Sequence, residues 1–139
     1  ILWPNIDAGS DGVSKGIRSF RENENADWLY GFINLPTSIY IHLMNITSCL
    51  IGNSSSGIRE GAYIGTPVVN IGSRQNRRMH AENVINVNYN SNDIVKATKA
   101  QLRNGKYKSS SIYGDGTAGK KIVDILEDID PPLQKYITY

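Results

Sequence analysis

Apolar runs of strand length alternate along this sequence with segments whose apolar residues recur at helical spacing. A chain patterned this way builds βαβ units, because a helix between two strands returns the chain to begin the next strand in the same direction. The expected fold is therefore α/β, a Rossmann-like parallel sheet with helices on both faces. Strands are expected over residues 1–3, 28–35, 48–52, 68–71 and 84–87, and the run at 48–52, Ser-Cys-Leu-Ile-Gly, should be buried on both faces. A first helix, capped by Asp11 or Ser10, carries Val13, Ile17 and Phe20. A second follows Pro36, capped by Thr37 or Ser38, with Ile39, Ile41, His42, Met44 and Ile46 on a mostly apolar surface. Further helices are expected over 58–63, ended by Gly65, over 93–102, ended by Gly105, and over 118–129, closed by Pro131 and Pro132.

One domain is expected, since the 139 residues show no internal repeat or linker and suffice for a single substantial core. Hydrophobic residues at 40% and charged residues at 20% exclude collagen-like and strongly disordered chains. A net charge of +2 is too small for a general nucleic-acid or membrane-surface field, though a local cluster can still grip a small anion. No apolar stretch approaches the ~18 residues of a membrane-spanning helix, so no membrane partner is expected. Cys49 alone excludes an internal disulfide framework and points to a reducing compartment, the cytoplasm. The sequons at Asn45 and Asn53 read as chance matches in an Asn-rich chain, and the opening Ile-Leu-Trp-Pro, without methionine, reads as mid-protein sequence.

The chemistry concentrates where a strand is followed by Gly52-Asn53-Ser54-Ser55-Ser56-Gly57 and then a helix. A helix N-terminus offers unpaired N–H groups and partial positive charge beside the crevice at a strand end, which suits an anionic group. Ser54, Ser55 and Ser56 add hydroxyl donors, and Gly57 would let a ligand approach the backbone; the plain alternative is a serine capping its own helix. Glu60, on the first turn, could accept two ribose hydroxyls or simply complement the helix dipole. Arg74, with Gln75, Arg77 and Arg78, follows the next strand; parallel neighbours would bring this loop beside the serines, against the alternative of a solvated surface patch. His42 reads as a packed residue, His80 as a polar loop residue and Cys49 as inert in a buried strand. No metal-ligand spacing, P-loop or dinucleotide fingerprint occurs.

The stretch Gly-Asn-Ser-Ser-Ser-Gly-Ile-Arg-Glu at 52–60, with Gly-Thr-Pro-Val-Val-Asn-Ile-Gly-Ser-Arg-Gln at 65–75, resembles UDP-N-acetylglucosamine 2-epimerases, especially the hydrolysing, sialic-acid-pathway branch. Residues 4–10, 82–85, 112–116 and 132–135 extend the resemblance over essentially the whole chain. The resemblance implies the C-terminal nucleotide-binding half of a two-domain GT-B-like enzyme, with the N-terminal domain outside these residues. It assigns UDP to Asn53, Ser54, Ser55 and Gly57, the ribose to Glu60, a phosphate contact to Arg74 and the uracil to backbone near Leu35. Arg18 and Arg21 resemble a basic pair used for feedback inhibition in some members, but the segment before them differs in length. The family's catalytic carboxylates and histidine match nothing in the chain. The expected role is thus binding of UDP and UDP-N-acetylglucosamine without catalytic groups, cofactor or metal, the complete protein being a homo-oligomer. The implied reaction is anti-elimination of UDP to a 2-acetamidoglycal, then hydration to N-acetylmannosamine. A non-hydrolysing epimerase, a GT-B glycosyltransferase donor domain and a non-catalytic nucleotide-binding module are the alternatives.

Overall fold

A computed structural model of the chain describes residues 1–4, 9–130 and 134. The loop expected over 4–10 and the tail expected over 133–139 lie mostly outside the described residues. The chain divides into two compact units, Ile1–Leu43 and Met44–Tyr139.

In the first unit, the strands expected over 1–3 and 28–35 shrink to one parallel bridge between Leu2 and Phe32. Trp3 N–H donates to the Phe32 carbonyl at 2.7 Å and Phe32 N–H to the Ile1 carbonyl at 2.9 Å. Trp28, Tyr30 and Ile33 stay 68%, 70% and 89% exposed, so no packed face rewards lengthening that ladder. Helix α1 (Ser10–Asn23) forms where expected, but left-handed Gly9, not Ser10 or Asp11, stands at its N-cap; Phe20 meets the Trp28 ring edge-on at 6.1 Å. Helix α2 (Thr37–Ile46) also starts where expected, but His42 is exposed rather than packed. Met44 is the residue α2 buries, and His42 sits about 200° around the helix from it, so the apolar composition of the run concealed which side turns inward.

The second unit holds the sheet. Strands β1 (Leu50–Gly52), β2 (Val68–Ile71) and β3 (Val84–Val87) pair in parallel in that order. Leu50 aligns with Val68 and Val84, and two residues on Gly52 aligns with Asn70 and Asn86. Between β1 and β2 run α3 (Ser55–Ile58) and α4 (Glu60–Ile64), which meet at Arg59; α5 (Ser91–Asn104) and α6 (Ala118–Asp128) follow β3. Leu50, Val68 and Val84 form one face of the sheet and pack with Ile58 of α3. The alternating residues face α5, whose Ala97 is buried, giving the expected sheet with helices on both faces. Burial of the 48–52 run on both faces is not realised: β1 is an edge strand of this ladder and Ile51 remains 49% exposed. Helix α5 starts before residue 93 because Asn90 caps it, its Oδ1 accepting from Asn92 N–H at 2.9 Å and Asp93 N–H at 3.2 Å.

The amino-terminal ends of the strands are joined by side-chain amides. Gln101, fully buried, donates from Nε2 to the carbonyls of Val68 at 2.7 Å and Asn83 at 2.9 Å. Its Oε1 accepts from the Tyr107 hydroxyl at 2.8 Å. Asn83 donates to the carbonyls of Thr66 at 2.9 Å and Gly57 at 3.3 Å, linking the approach to β3 with the approach to β2 and with α3. Replacing Gln101 by alanine strands two buried carbonyl contacts and the Tyr107 hydroxyl, and opens a cavity. Gln101→Ala should lower the unfolding free energy by about 2–4 kcal/mol. Urea unfolding checks this, and a midpoint equal to the parent's would show that the clamp contributes nothing.

Candidate functional site

Parallel pairing sends all three strands toward one carboxyl edge, so the segments leaving β1 and β2 emerge side by side. A buried amide joins them: Gln75 Nε2 donates to the Asn53 carbonyl at 2.8 Å. Gln75 itself is only 6% exposed, and its Oε1 has no hydrogen-bond partner. The loop carrying Arg74 is thus tied directly to the segment carrying the serines.

Within the serine segment, Ser54 caps α3: its Oγ receives Ser56 N–H at 3.4 Å and lies 2.8 Å from Ser56 Oγ. The capping alternative for this serine is therefore realised, while Ser54 remains exposed and Ser55 half-buried. Gly57 serves packing, since a Cβ there would sit 3.1 Å from Val68 Cγ1 and 3.2 Å from Leu50 Cδ2; glycine is what lets α3 lie against the sheet. Glu60 is half-buried at the first position of α4, one residue beyond the Arg59 junction rather than on the first turn of a single continuous helix.

The β2 loop leaves the sheet at Gly72, where φ is 76° and a side chain would run into the Tyr89 ring. Two turns then shape the loop, Asn76 N–H donating to the Ser73 carbonyl at 3.0 Å and Arg78 N–H to the Gln75 carbonyl at 3.2 Å. Arg74, Arg77 and Arg78 are exposed on this loop, and the Tyr113 hydroxyl pins its far end by donating to the Met79 carbonyl.

Three polar residues at this edge were not singled out together from the sequence. Asn70 Nδ2 donates to Asn86 Oδ1 at 2.8 Å, and Asn86 Nδ2 lies 3.1 Å from His80 Nε2. The signal was legible: each asparagine is the third of four residues in an otherwise apolar strand, an unfavourable place for an amide without a partner.

Leu35 belongs to the first unit. It is half-buried, its N–H donates to Asn34 Oδ1 at 2.9 Å, and with Leu2, Trp3, Asn34, Thr37 and Tyr40 it lines a cavity of about 190 Å³. No group of three or more His, Cys, Asp or Glu side chains among the described residues is arranged to hold a metal ion, and no described helix is long and apolar enough to cross a membrane.

The parallel sheet, with a serine-capped helix start and a basic loop side by side at its carboxyl edge, is a Rossmann-like α/β unit. Residues 3–127 match the family model described as UDP-N-acetylglucosamine 2-epimerase, and the chain belongs to that family. It is 32% identical over 136 residues to the UDP-N,N'-diacetylbacillosamine 2-epimerase (hydrolyzing) of Legionella pneumophila, covering 98% of this chain and 35% of that protein. Against the UDP-N-acetylglucosamine 2-epimerase of Neisseria meningitidis the identity is 24% over 131 residues, 94% of this chain and 34% of the relative. A shorter match of 62 residues, 45% identical, joins it to the GDP/UDP-N,N'-diacetylbacillosamine 2-epimerase (hydrolyzing) of Campylobacter jejuni, covering 45% of this chain and 16% of that protein. The chain spans about a third of the length of the first two relatives.

Cys49, just before β1, is half-buried, and burial pushes its thiol pKa up against a smaller opposing hydrogen bond from the Val69 backbone. A raised pKa means less thiolate at neutral pH and a poorer nucleophile. Iodoacetamide at about pH 8 should therefore modify native Cys49 more slowly than the same thiol in urea; equal rates would contradict the burial effect.

Proposed function

We propose that this chain is the UDP-binding part of a hydrolysing UDP-N-acetylglucosamine 2-epimerase, whose complete form converts a UDP-linked 2-acetamido sugar and water into the free C2-epimeric sugar and UDP. The observation that supports it most is the Gln75–Asn53 hydrogen bond, because it joins the serine segment and the basic loop into one anion-sized edge. In this reading Asn53, Ser54, Ser55 and the Gly57 backbone receive the pyrophosphate, Arg74 adds a charge-assisted contact and Glu60 accepts the ribose hydroxyls. The word "hydrolyzing" in the names of the Legionella and Campylobacter relatives favours water as the second substrate.

The share of the reaction carried by such a site is electrostatic. A base takes the proton from C2, the C1–oxygen bond breaks with its electron pair leaving on UDP, and a 2-acetamidoglycal forms. Water then adds across the double bond, hydroxyl to C1 and proton to C2, on the face that inverts C2. Negative charge grows on the departing pyrophosphate, and donors held rigidly at a sheet edge stabilise it without reorganising. The C2 base and the second wall of the cleft belong to the rest of the polypeptide.

The chain should bind UDP more tightly than UMP or uridine, and Arg74→Ala should weaken UDP binding about ten- to a hundredfold, the value of one charge-assisted hydrogen bond. Calorimetry decides, and equal affinities for UDP and uridine would return Arg74 to the solvated surface. The 139-residue chain alone should release no UDP from UDP-N-acetylglucosamine or from the diacetamido analogue, whereas a protein extended by the remaining two-thirds should. Comparable turnover by both would show that the catalytic groups lie within these residues.

A further inference from the structure

The hydrogen bonds joining Asn70, Asn86 and His80 have a direction, and one backbone atom sets it. His80 Nδ1 lies 3.1 Å from the Ala81 carbonyl, which can only accept, so Nδ1 carries the proton. In a neutral ring Nε2 is then an acceptor, and Asn86 Nδ2, 3.1 Å away, must donate to it. That turns Asn86 Oδ1 toward Asn70, whose Nδ2 donates to it at 2.8 Å. What remains is Asn70 Oδ1, an acceptor shielded from water with no hydrogen-bond partner. Asn70 is 2% exposed, and leaving such an oxygen unpaired is costly enough to need a reason.

Position supplies one. Asn70 stands in register between Gly52 and Asn86 near the carboxyl end of the sheet, and the space where a Gly52 side chain would project is empty. A second buried carboxamide oxygen without a partner, Gln75 Oε1, belongs to the side chain that holds Asn53 at the same edge. A third, Asn83 Oδ1, lies at the amino-terminal end of β3 and is not part of this row. Ionised phosphate oxygens bring no hydrogen to such acceptors; hydroxyl and amide N–H groups do.

We propose that His80 is a positioning residue which, through Asn86, fixes the Asn70 carboxamide with its oxygen turned to receive a hydroxyl or amide N–H of the bound sugar nucleotide. The ligand half of this proposal rests on the nucleotide reading above; the relay itself does not.

The relay can be tested in the full chain without ligand, by nitrogen NMR of the imidazole, with the pH raised until the ring signals stop changing. The expected form carries its proton on Nδ1, and a proton on Nε2 would overturn the relay. Asn86→Asp, at an exposed position, presents acceptors alone to both neighbours, so Nε2 must carry a proton, in the neutral ring or as an imidazolium that keeps Nδ1–H on the Ala81 carbonyl. The buried Asn70→Asp makes the same demand from two side chains away: Asn86 must turn its Nδ2 toward the new carboxylate and its oxygen toward the ring. In the double variant Asn70→Asp with Asn86→Ala the line is cut, and His80 should return to the Nδ1 form. A ring that ignores both aspartates is a surface histidine and nothing more.

The ligand half is read by titrating UDP and UDP-N-acetylglucosamine. His80→Ala and Asn86→Ala should each weaken binding several-fold to about tenfold, and His80→Gln, whose Oε1 can accept from Asn86 Nδ2, should restore it. A loss with both ligands locates the donor in the uridine, and a loss with UDP-N-acetylglucosamine alone locates it in the sugar. Unchanged affinities for both overturn the positioning role. Failure of either nucleotide to bind the unaltered chain sinks the nucleotide reading and the ligand half with it, while the ring tautomer still decides the relay.

Discussion

A parallel sheet has no hairpins to hold its register, and in this chain a buried glutamine holds the register of the β2–β3 pairing. Gln101 reaches from α5 to the carbonyls of Val68 and Asn83, at the start of β2 and just before β3, and receives the Tyr107 hydroxyl on its free oxygen. Asn83 extends the clamp to Thr66 and Gly57. Slipping either strand by one residue would break these contacts and also turn Val68 or Val84 away from Ile58. Apolar packing supplies the driving force for this small core, and the amides select one alignment from those that packing alone would permit.

The carboxyl edge carries two buried amide acceptors without partners, at Asn70 and Gln75, and the amino-terminal end carries one, at Asn83, while the Gln101 carboxamide is engaged at both its nitrogen and its oxygen. Rigid strands let an edge carry such groups, since the alignment fixed at one end of β2 and β3 is transmitted along four residues to the other.

Much of this could be read from the residues. The strands at Val68–Ile71 and Val84–Val87, the helix stop at Gly65 and the amphipathic α5 follow from local periodicity, cap chemistry and backbone freedom, all of which act within a few residues. The serine segment was legible for the same reason, because a strand, a run of small polar residues and a helix start are consecutive in the chain. Residues 28–35 have strand composition but no packed face to reward it, and so show how little composition decides once neighbours are absent.

What the sequence by itself determined was the α/β class, most element positions and the two loops worth watching, since each is encoded by contiguous residues. Tertiary structure alone decided that His42 faces solvent, that Gly57 serves helix–sheet contact, that Gln75 ties Asn53 to the basic loop and that His80 communicates with Asn70. Each of these joins residues far apart in the chain or chooses between sides of one helix. Hydrogen bonds and close contacts depend on direction and on tenths of an ångström, which residue type and spacing do not carry; the register of the folded sheet does.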